Sequence, residues 1–300
     1  MPSLGADPGH VVLTRPASPG HGYGRGVTFS IVGQVGEAFG VAVASKFPFV
    51  GSVVPAARLG VGAVATQALA RVSFRDTALD ALAAGRDAAG AVEECRSPDP
   101  DREHRQLGVV GVDSQATSTG EACLPWAGGV SGRDQTGGYA IQGNILVGPQ
   151  VVSAMEEAWL HSAGSPLVDR LLAAVLAGDD AGGDSRGRQG AALFAVAPGA
   201  GYDQCGVLAD VRVDDHPSAP QELARLVTLN DLMFGTPTDV QPLTGALAEE
   251  VAARLATLGY ASGSPAQSLA TWASAQNYET RLSPDGIDAK VLAALRGATS

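Results

Sequence analysis

Two residue types that support nucleophilic catalysis, a threonine and a lysine, lie near the start of the patterned part of this 300-residue sequence. Thr28 opens an apolar run over residues 28–34, and Lys46 closes a second run over residues 39–46. Alternating and β-branched apolar residues, bounded by glycine, predict two short strands joined by a tight turn. An antiparallel pair would bring the Thr28 hydroxyl close to the Lys46 ammonium. The sequence therefore predicts a candidate active site at this end of the pair.

Both residues also have a purely structural explanation. Threonine favours strands, because its branched side chain fits the pleated surface of a sheet. A lysine at the end of a strand can act as an edge charge that prevents pairing with another chain. The sequence alone leaves the structural and the catalytic explanations of Thr28 and Lys46 open.

Polar side chains also interrupt later apolar segments and are candidates for substrate binding. Gln67 and Gln142 end or interrupt predicted strands. A buried amide needs hydrogen-bond partners, so each glutamine either faces a site or makes satisfied core contacts. Asp184 and Arg186 lie in a glycine-rich segment, where they either contact a ligand or pair with each other.

One cluster, residues 214–216, combines the side-chain types of a metal site, Asp-Asp-His. Consecutive strand residues point to opposite faces, whereas a metal site needs three or four converging ligands. Capping of the following helix by Asp215 is the favoured explanation. We expect no metal and no other cofactor, and a metal hydrolase at this cluster stays a third functional alternative.

The composition indicates a folded protein that binds neither nucleic acid nor membranes. Hydrophobic residues make up 45% of the chain, which suffices for a large core. The formal net charge is −11 with only 20 Lys and Arg residues, whereas phosphate binding relies on clustered cations. No run approaches the ~18 apolar residues of a membrane span, and no secretory signal pattern is present. We therefore expect a cytoplasmic location, and the three scattered cysteines predict ordinary reduced thiols.

Glycine, proline and hydrophobic periodicity divide the chain into four parts. Residues 1–27 have no apolar periodicity and are predicted to be a disordered leader. Residues 28–234 form the predicted main domain, and residues 235–243 have the composition of a linker. Residues 244–300 predict a small module of three helices, which at this size needs to dock on the main domain.

Within the main domain, the predicted helices come in pairs between groups of strands. Residues 114–137 are predicted to be a polar connection. Paired helices disfavour a doubly wound parallel sheet, in which one crossover helix follows each strand. Two packed sheets with helices on both outer faces fit the order better. The predicted helices cover residues 73–84, 87–95, 151–161, 167–177 and 220–234, and further strands cover residues 60–67, 107–113, 138–147, 191–197 and 207–213.

Six segments, taken in order, resemble the bacterial and archaeal domain-of-unknown-function family 1028. They are residues 28–32, 40–47, 51–55, 62–67, 142–144 and 182–187. That family is similar to the N-terminal-nucleophile hydrolases, so the resemblance implies an α+β fold with a four-layer αββα sandwich over about residues 28–226. Residues 244–296 are similar to a peptidoglycan-binding module, which implies a small C-terminal helical domain.

The resemblance implies a hydrolase that cleaves an amide or related C–N bond in a small-molecule substrate. An amino-terminal threonine carries its own general base, because an α-amino group with a pKa of about 8 accepts the hydroxyl proton. Thr28 would be the nucleophile, and the Lys46 ammonium would lower the pKa of that amine. Asn144 and Gln142 would stabilise the oxyanion or bind substrate, Ser45 would contact substrate, and a homodimer is the default assembly.

The chain departs from the superfamily pattern because Thr28 follows Val27, not the glycine that commonly precedes such a nucleophile. Either a processing step exposes Thr28, or Val27 corresponds to a GTG start codon and removal of the initiating methionine exposes it. The alternative function is a non-catalytic binding protein with the same sandwich, whose helical module binds a cell-wall fragment or a partner.

Overall fold

The computed structural model describes residues 28–300 of the chain. The predicted disordered leader over residues 1–27 lies outside the described residues. The remainder is a mixed α/β protein with antiparallel sheets, helices and a C-terminal helical region, as the sequence predicted at this level.

Ten strands of the described main region form two antiparallel sheets. The larger sheet has the order β10-β9-β2-β1-β8-β7, and the smaller has the order β3-β4-β5-β6. The central strand β1 pairs with β2 on one side and with β8 on the other. The strands are β1 (Thr28–Val35), β2 (Ala38–Ser45), β3 (Pro55–Arg58), β4 (Gly62–Ala68), β5 (Arg105–Gly111), β6 (Gln115–Thr119), β7 (Gly128–Arg133), β8 (Gly138–Asn144), β9 (Gly190–Val196) and β10 (Val207–Val213).

The helices of residues 28–234 pack on the two sheets. They are α1 (Val50–Val53), α2 (Phe74–Ala83), α3 (Ala88–Arg96), α4 (Gln150–His161), α5 (Leu167–Asp180) and α6 (Ala219–Phe234), with short 3-10 turns at Arg102–His104 and Tyr202–Gln204. Helices α4, α5 and α6 share a core with the larger sheet, in which Trp159 and Leu171 pack with Ile31. Helices α2 and α3 share a second core with the smaller sheet. The five helices predicted from periodicity are confirmed to within three residues at each end.

The side chains of β1 point alternately towards the helices and towards the smaller sheet. Phe29 and Ile31 belong to the core shared with α4 and α5. Val32 packs instead with Ala65 and Val110 of the smaller sheet. Because successive residues of a strand point to opposite faces, Thr28 and Ser30 lie on the same face as Val32, between the two sheets.

One segment has a different structure from the one that the sequence predicted. The polar connection over residues 114–137 contains the strands β6 and β7. Strand β7 contains three glycines and one apolar residue, so it lacks the alternation that marks a strand. It forms because β8 offers a complete row of backbone partners.

The C-terminal region contains the three helices that the sequence predicted. They are α7 (Gly245–Thr257), α8 (Pro265–Ala275) and α9 (Ala289–Ala298), with a 3-10 turn at Glu279–Arg281 and the short strand pair β11 (Val240–Gln241) and β12 (Ile287–Asp288). Arg281 is 1% exposed in its side chain and forms an ion pair with Asp231 of α6 at 2.7 Å. Its guanidinium also donates to the carbonyl of Thr236, just after α6, at 2.9 Å. The contacts with Asp231 attach the helical region to α6.

Candidate functional site

Three polar side chains meet where β1 begins. In the pairing register, Thr28 lies opposite Ser45 of β2 on one side and opposite Asn144 of β8 on the other. The hydroxyl oxygens of Thr28 and Ser45 are 3.2 Å apart. All three residues are at most 3% exposed. The structure therefore brings together two of the predicted catalytic residues, Thr28 and Asn144, with the predicted contact residue Ser45.

A chain of hydrogen bonds runs inward from these residues between the two sheets. The Gln142 amide donates to the Ser30 hydroxyl at 2.6 Å, which donates to the Gln67 side-chain oxygen at 2.6 Å. The Gln67 amide in turn donates to Gln106 at 2.7 Å and to the Thr28 carbonyl at 3.1 Å. When consecutive groups each accept one hydrogen bond and donate the next, the bonds strengthen one another in the low-dielectric interior. This network fixes the backbone from which the Thr28 side chain projects.

Gln106 is the residue that joins the network to both sheets, and sequence reasoning missed it. Its side-chain oxygen accepts from Gln67 and, at 3.1 Å, from Asn144. Its amide donates to the Thr119 hydroxyl and to the Gly143 carbonyl, both at 2.8 Å. Gln106 directly precedes residues 107–113, which the apolar pattern predicts as a strand, so the predicted strand does not include it. The signal that could have found it is a second glutamine at the end of a strand that pairs with Gln67.

Replacing Gln106 with methionine should destabilise the protein by about 3 kcal/mol, because several buried polar groups lose their partner at little change in volume. We expect a lower midpoint of urea unfolding with an unchanged slope. Gln115→Met is the matched control, since Gln115 accepts one bond, from the exposed Arg133, at 3.3 Å. Equal midpoints for the two variants would contradict the central role of Gln106.

Lys46 lies at the same sheet end, but its ammonium is directed elsewhere. Its Nζ donates to the Arg188 carbonyl at 3.2 Å, and its backbone N–H donates to the Asp184 carboxylate at 2.6 Å. Within the described residues, Lys46 makes no hydrogen bond to Thr28. Lys46 follows Ser45, and successive side chains alternate in direction. The predicted pair of Thr28 and Lys46 is therefore not in direct contact.

Asp184 and Arg186 pair with each other, which is one of the two roles that the sequence leaves open for them; contact with a ligand stays a prediction. The Asp184 carboxylate, whose side chain is 2% exposed, accepts from the Arg186 backbone N–H at 2.9 Å and from its guanidinium at 3.3 Å. With its bond from the Lys46 backbone, this carboxylate ties the loop after α5 to the end of β2. A cavity of about 70 Å³ lies beside it, lined in part by Ser45 and Arg188.

Gln142 is fully buried two residues inward from Asn144, opposite Ser30. Its amide donates to Ser30, and its oxygen accepts from the Thr117 hydroxyl at 3.1 Å. Both ends of the amide are therefore used within the protein. These bonds give Gln142 a supporting role in the network, and its contact with a substrate or oxyanion stays a prediction.

The Asp214–His216 cluster shows no convergence on a metal. Among residues 28–300, no group of three or more His, Cys, Asp or Glu side chains could hold a metal ion. Asp215 accepts from the Gln189 amide at 3.2 Å, and α6 begins only at Ala219 after Ser218. The prediction that Asp215 caps the following helix is therefore wrong.

Burial opposes the ionised form of two cysteine thiols. Burial raises the pKa of the Cys95 thiol to about 12 and also raises the pKa of the Cys123 thiol. Because the thiolate is the nucleophilic form, this environment disfavours a cysteine nucleophile at either position.

Two protein-family models match this chain. The model described as "Family of unknown function (DUF1028)" matches residues 28–223, about two thirds of the chain. The chain belongs to the DUF1028 family. A second model, described as "Putative peptidoglycan binding domain", matches residues 233–295. This match begins inside α6 and includes the segment that the sequence predicted as a linker.

The DUF1028 assignment agrees with a solved structure. The chain is similar to the crystal structure of a DUF1028 protein from Silicibacter pomeroyi, with 27% sequence identity and a TM-score of 0.60. The alignment covers 75% of this chain and 93% of that one. No curated protein matches the chain.

The helices over residues 28–300 include none with the length and apolar character needed to cross a lipid bilayer. The cytoplasmic location and the homodimer stay predictions.

Proposed function

We propose that this DUF1028 protein is a hydrolase of the N-terminal-nucleophile type that cleaves an amide or related C–N bond in a small substrate, with Thr28 as the nucleophile. The observation that carries the proposal is the position of Thr28. It is the first residue of the central strand β1, its hydroxyl lies 3.2 Å from that of Ser45, and Asn144 flanks it on the other side.

The packing of the two sheets supports the fold that such enzymes share. Helices α4 to α6 cover one face of the larger sheet, and α2 and α3 cover one face of the smaller sheet. The remaining two faces pack on each other. This order supports a four-layer αββα sandwich with the nucleophile at one end of the inner layers.

The chemistry follows once Thr28 is the first residue of the chain. Its α-amino group, with an ordinary pKa of about 8, accepts the proton of its own hydroxyl, directly or through the neighbouring Ser45 hydroxyl. The Thr28 oxygen then bonds to the substrate carbonyl carbon. The leaving amine departs with the proton, and water hydrolyses the resulting ester to regenerate Thr28.

Asn144 is the proposed oxyanion donor in this scheme. Its amide nitrogen donates to Gln106 at 3.1 Å and to the Thr28 carbonyl at 3.4 Å. The second bond is long, so its hydrogen is the one that can move to a developing oxyanion at low cost. Lys46 acts at longer range, since its positive charge at the strand end lowers the pKa of the Thr28 amine.

A β-lactone acylates nucleophilic hydroxyls and can therefore replace the unidentified substrate. It tests whether the Thr28 hydroxyl needs the free α-amino group of Thr28 to react. We expect a protein that begins at Thr28 to gain the mass of one lactone, mapped to Thr28, because the amine is then available as base. A protein that retains residues 1–27 should stay unlabelled. Equal labelling of Thr28 in both proteins would refute the role of the amine.

A non-catalytic binding protein is the second candidate, which the match of residues 233–295 favours. A groove of about 490 Å³ in this region is lined by apolar side chains that include Leu243, Leu269 and Leu282. Saturable binding of soluble glycan strands by the full chain, together with an unreactive Thr28, would favour this candidate over the hydrolase.

A further inference from the structure

A groove of about 430 Å³ opens between β6 and β7, which are edge strands of the two sheets within the described chain. Thr117 and Thr119 line it from the smaller sheet, and Gly128 and Gly129 line it from the larger. Glycine is required at position 129, because a Cβ there would lie 2.6 Å from the Ile141 carbonyl oxygen and 2.9 Å from the Thr117 hydroxyl.

Two side chains, Gln106 and Asn144, connect the groove to the Thr28 carbonyl by hydrogen bonds. The Gln106 side-chain oxygen accepts from Asn144, and its side-chain nitrogen donates to the Thr119 hydroxyl at 2.8 Å and to the Gly128 carbonyl at 3.2 Å. In the sheet, β7 follows β8, and β8 follows β1. Two strand spacings separate β7 from β1, so the groove begins about 10 Å from the Thr28 backbone. An extended small molecule can span this distance.

The charge of the groove selects between classes of ligand. Among the described residues that line it, Glu121 carries the one formal charge. Within residues 28–300 the Glu121 carboxylate makes no ion pair, and the nearby Arg96 and Arg102 both pair with Glu103, at 3.2 and 3.4 Å. The Glu103 carboxylate also accepts the Glu121 backbone N–H at 3.1 Å. The Glu121 carboxylate is thus available for a cation, whereas no cationic side chain among the described lining residues favours an anion.

We propose that the groove between β6 and β7 binds a primary ammonium or guanidinium group, with Glu121 as the residue that determines this specificity. Hydroxyl and backbone groups of Thr117, Thr119 and Gly129 line the path of the connecting chain. Identification of this cationic group as the far end of the substrate rests on the proposed function. Cation binding in the groove does not rest on it.

Cys123 lines the same groove and reports its occupancy. The test uses full-length protein with Cys205→Ser, which removes the exposed thiol and leaves the buried Cys95 unreactive. The rate of Cys123 alkylation by iodoacetamide is followed by mass spectrometry in mildly alkaline buffer. The probes are cadaverine, a diamine, and glutarate, a dicarboxylate of the same carbon-chain length.

We expect cadaverine to slow alkylation in a saturable manner and glutarate to have no effect. Glu121→Gln should raise the half-protecting concentration of cadaverine about fivefold, as expected for loss of a partly exposed ion pair. Glu157→Gln, the same change on the exposed surface of α4, is the matched control and should leave protection unchanged. Equal protection by the two probes, or an unchanged response in Glu121→Gln, would overturn the proposal.

Cadaverine protection and the lactone experiment, both carried out on protein that begins at Thr28, together separate the two proposals. Retained cadaverine protection with an unreactive Thr28 in the lactone experiment would refute the hydrolase and leave the groove intact. Reactive Thr28 without cadaverine protection would refute the groove and leave the hydrolase intact.

Discussion

Thr28→Ala is expected to lower amide hydrolysis by at least ~10³-fold in the protein that begins at residue 28, because the variant lacks the atom that forms the covalent bond. The fold should persist, since the Thr28 hydroxyl contributes one hydrogen bond, to Ser45, worth about 1 kcal/mol. The measurements are amine release from a panel of small amides and the midpoint of thermal unfolding.

Two variants control this experiment. Thr28→Ser keeps a hydroxyl on the first residue and should retain measurable turnover. Thr228→Ala removes a hydroxyl from the exposed face of α6, where it donates to the Ala224 carbonyl, and should leave turnover unchanged. Turnover of Thr28→Ala equal to that of the unmodified protein would show that the hydrolysis uses another group.

Arg170→Met is expected to cause the largest loss of stability, about 3 to 5 kcal/mol, because it leaves a largely buried carboxylate without its cation. The Arg170 side chain is fully buried and pairs with Asp134 at 2.5 Å. It also donates to the Trp159 carbonyl at 2.7 Å and stacks on the Trp159 ring. Urea unfolding gives the change directly.

The exposed Arg225 is the matched control, since its pair with Glu222 at 2.7 Å lies on the surface and Arg225→Met should cost under about 1 kcal/mol. A similar loss for both variants would mean that burial of the Arg170 pair has no special effect. A loss restricted to Arg170→Met would instead identify the packing of α5 against the turn between β7 and β8 as a main source of stability.

Asp134 should make the stability of the fold depend on pH in the acid range. Burial by itself would raise the pKa of Asp134, but hydrogen bonds from Thr136 and Arg170 outweigh it and lower the pKa to about 2. A carboxylate whose pKa is lower in the folded state stabilises the fold at pH above its unfolded value of 3.8 and loses that effect as the pH falls towards 2. Acid unfolding of Arg170→Met should therefore show a smaller pH dependence in this range, because only the hydrogen bonds from Thr136 then lower the pKa of Asp134.

The candidate site combines a candidate nucleophile, Thr28, with a hydrogen-bond network that extends across both sheets. The hydroxyls of Thr28 and Ser45 lie at the sheet end, whereas Gln67 and Gln106 hold the backbone of Thr28 from the opposite sheet. Preorganisation of this kind matters for catalysis, because small displacements of a nucleophile carry large losses of rate. A change of Gln106 should therefore affect stability and the position of Thr28 together.

The sequence by itself determined the elements whose own residues carry a regular apolar pattern. Strands β1, β2, β4, β5, β8, β9 and β10, the helices α2 to α6 and the presence of three helices over residues 244–300 follow from apolar periodicity, because a buried face repeats every two residues in a strand and every three or four in a helix. The hydroxyl at the start of β1 and the amides at the ends of later strands were also visible, because polar residues stand out in an apolar run.

Only the tertiary structure decided the features that depend on partners distant in the chain. Strand β7 has no pattern of its own and forms by pairing with β8. The direction of the Lys46 ammonium depends on the Arg188 carbonyl, 142 residues away in the chain. The role of Gln106 depends on which side chains the two sheets bring to it. Hydrogen bonds across sheets are set by three-dimensional packing, so a local pattern of residues can point to a buried amide but does not specify its partners.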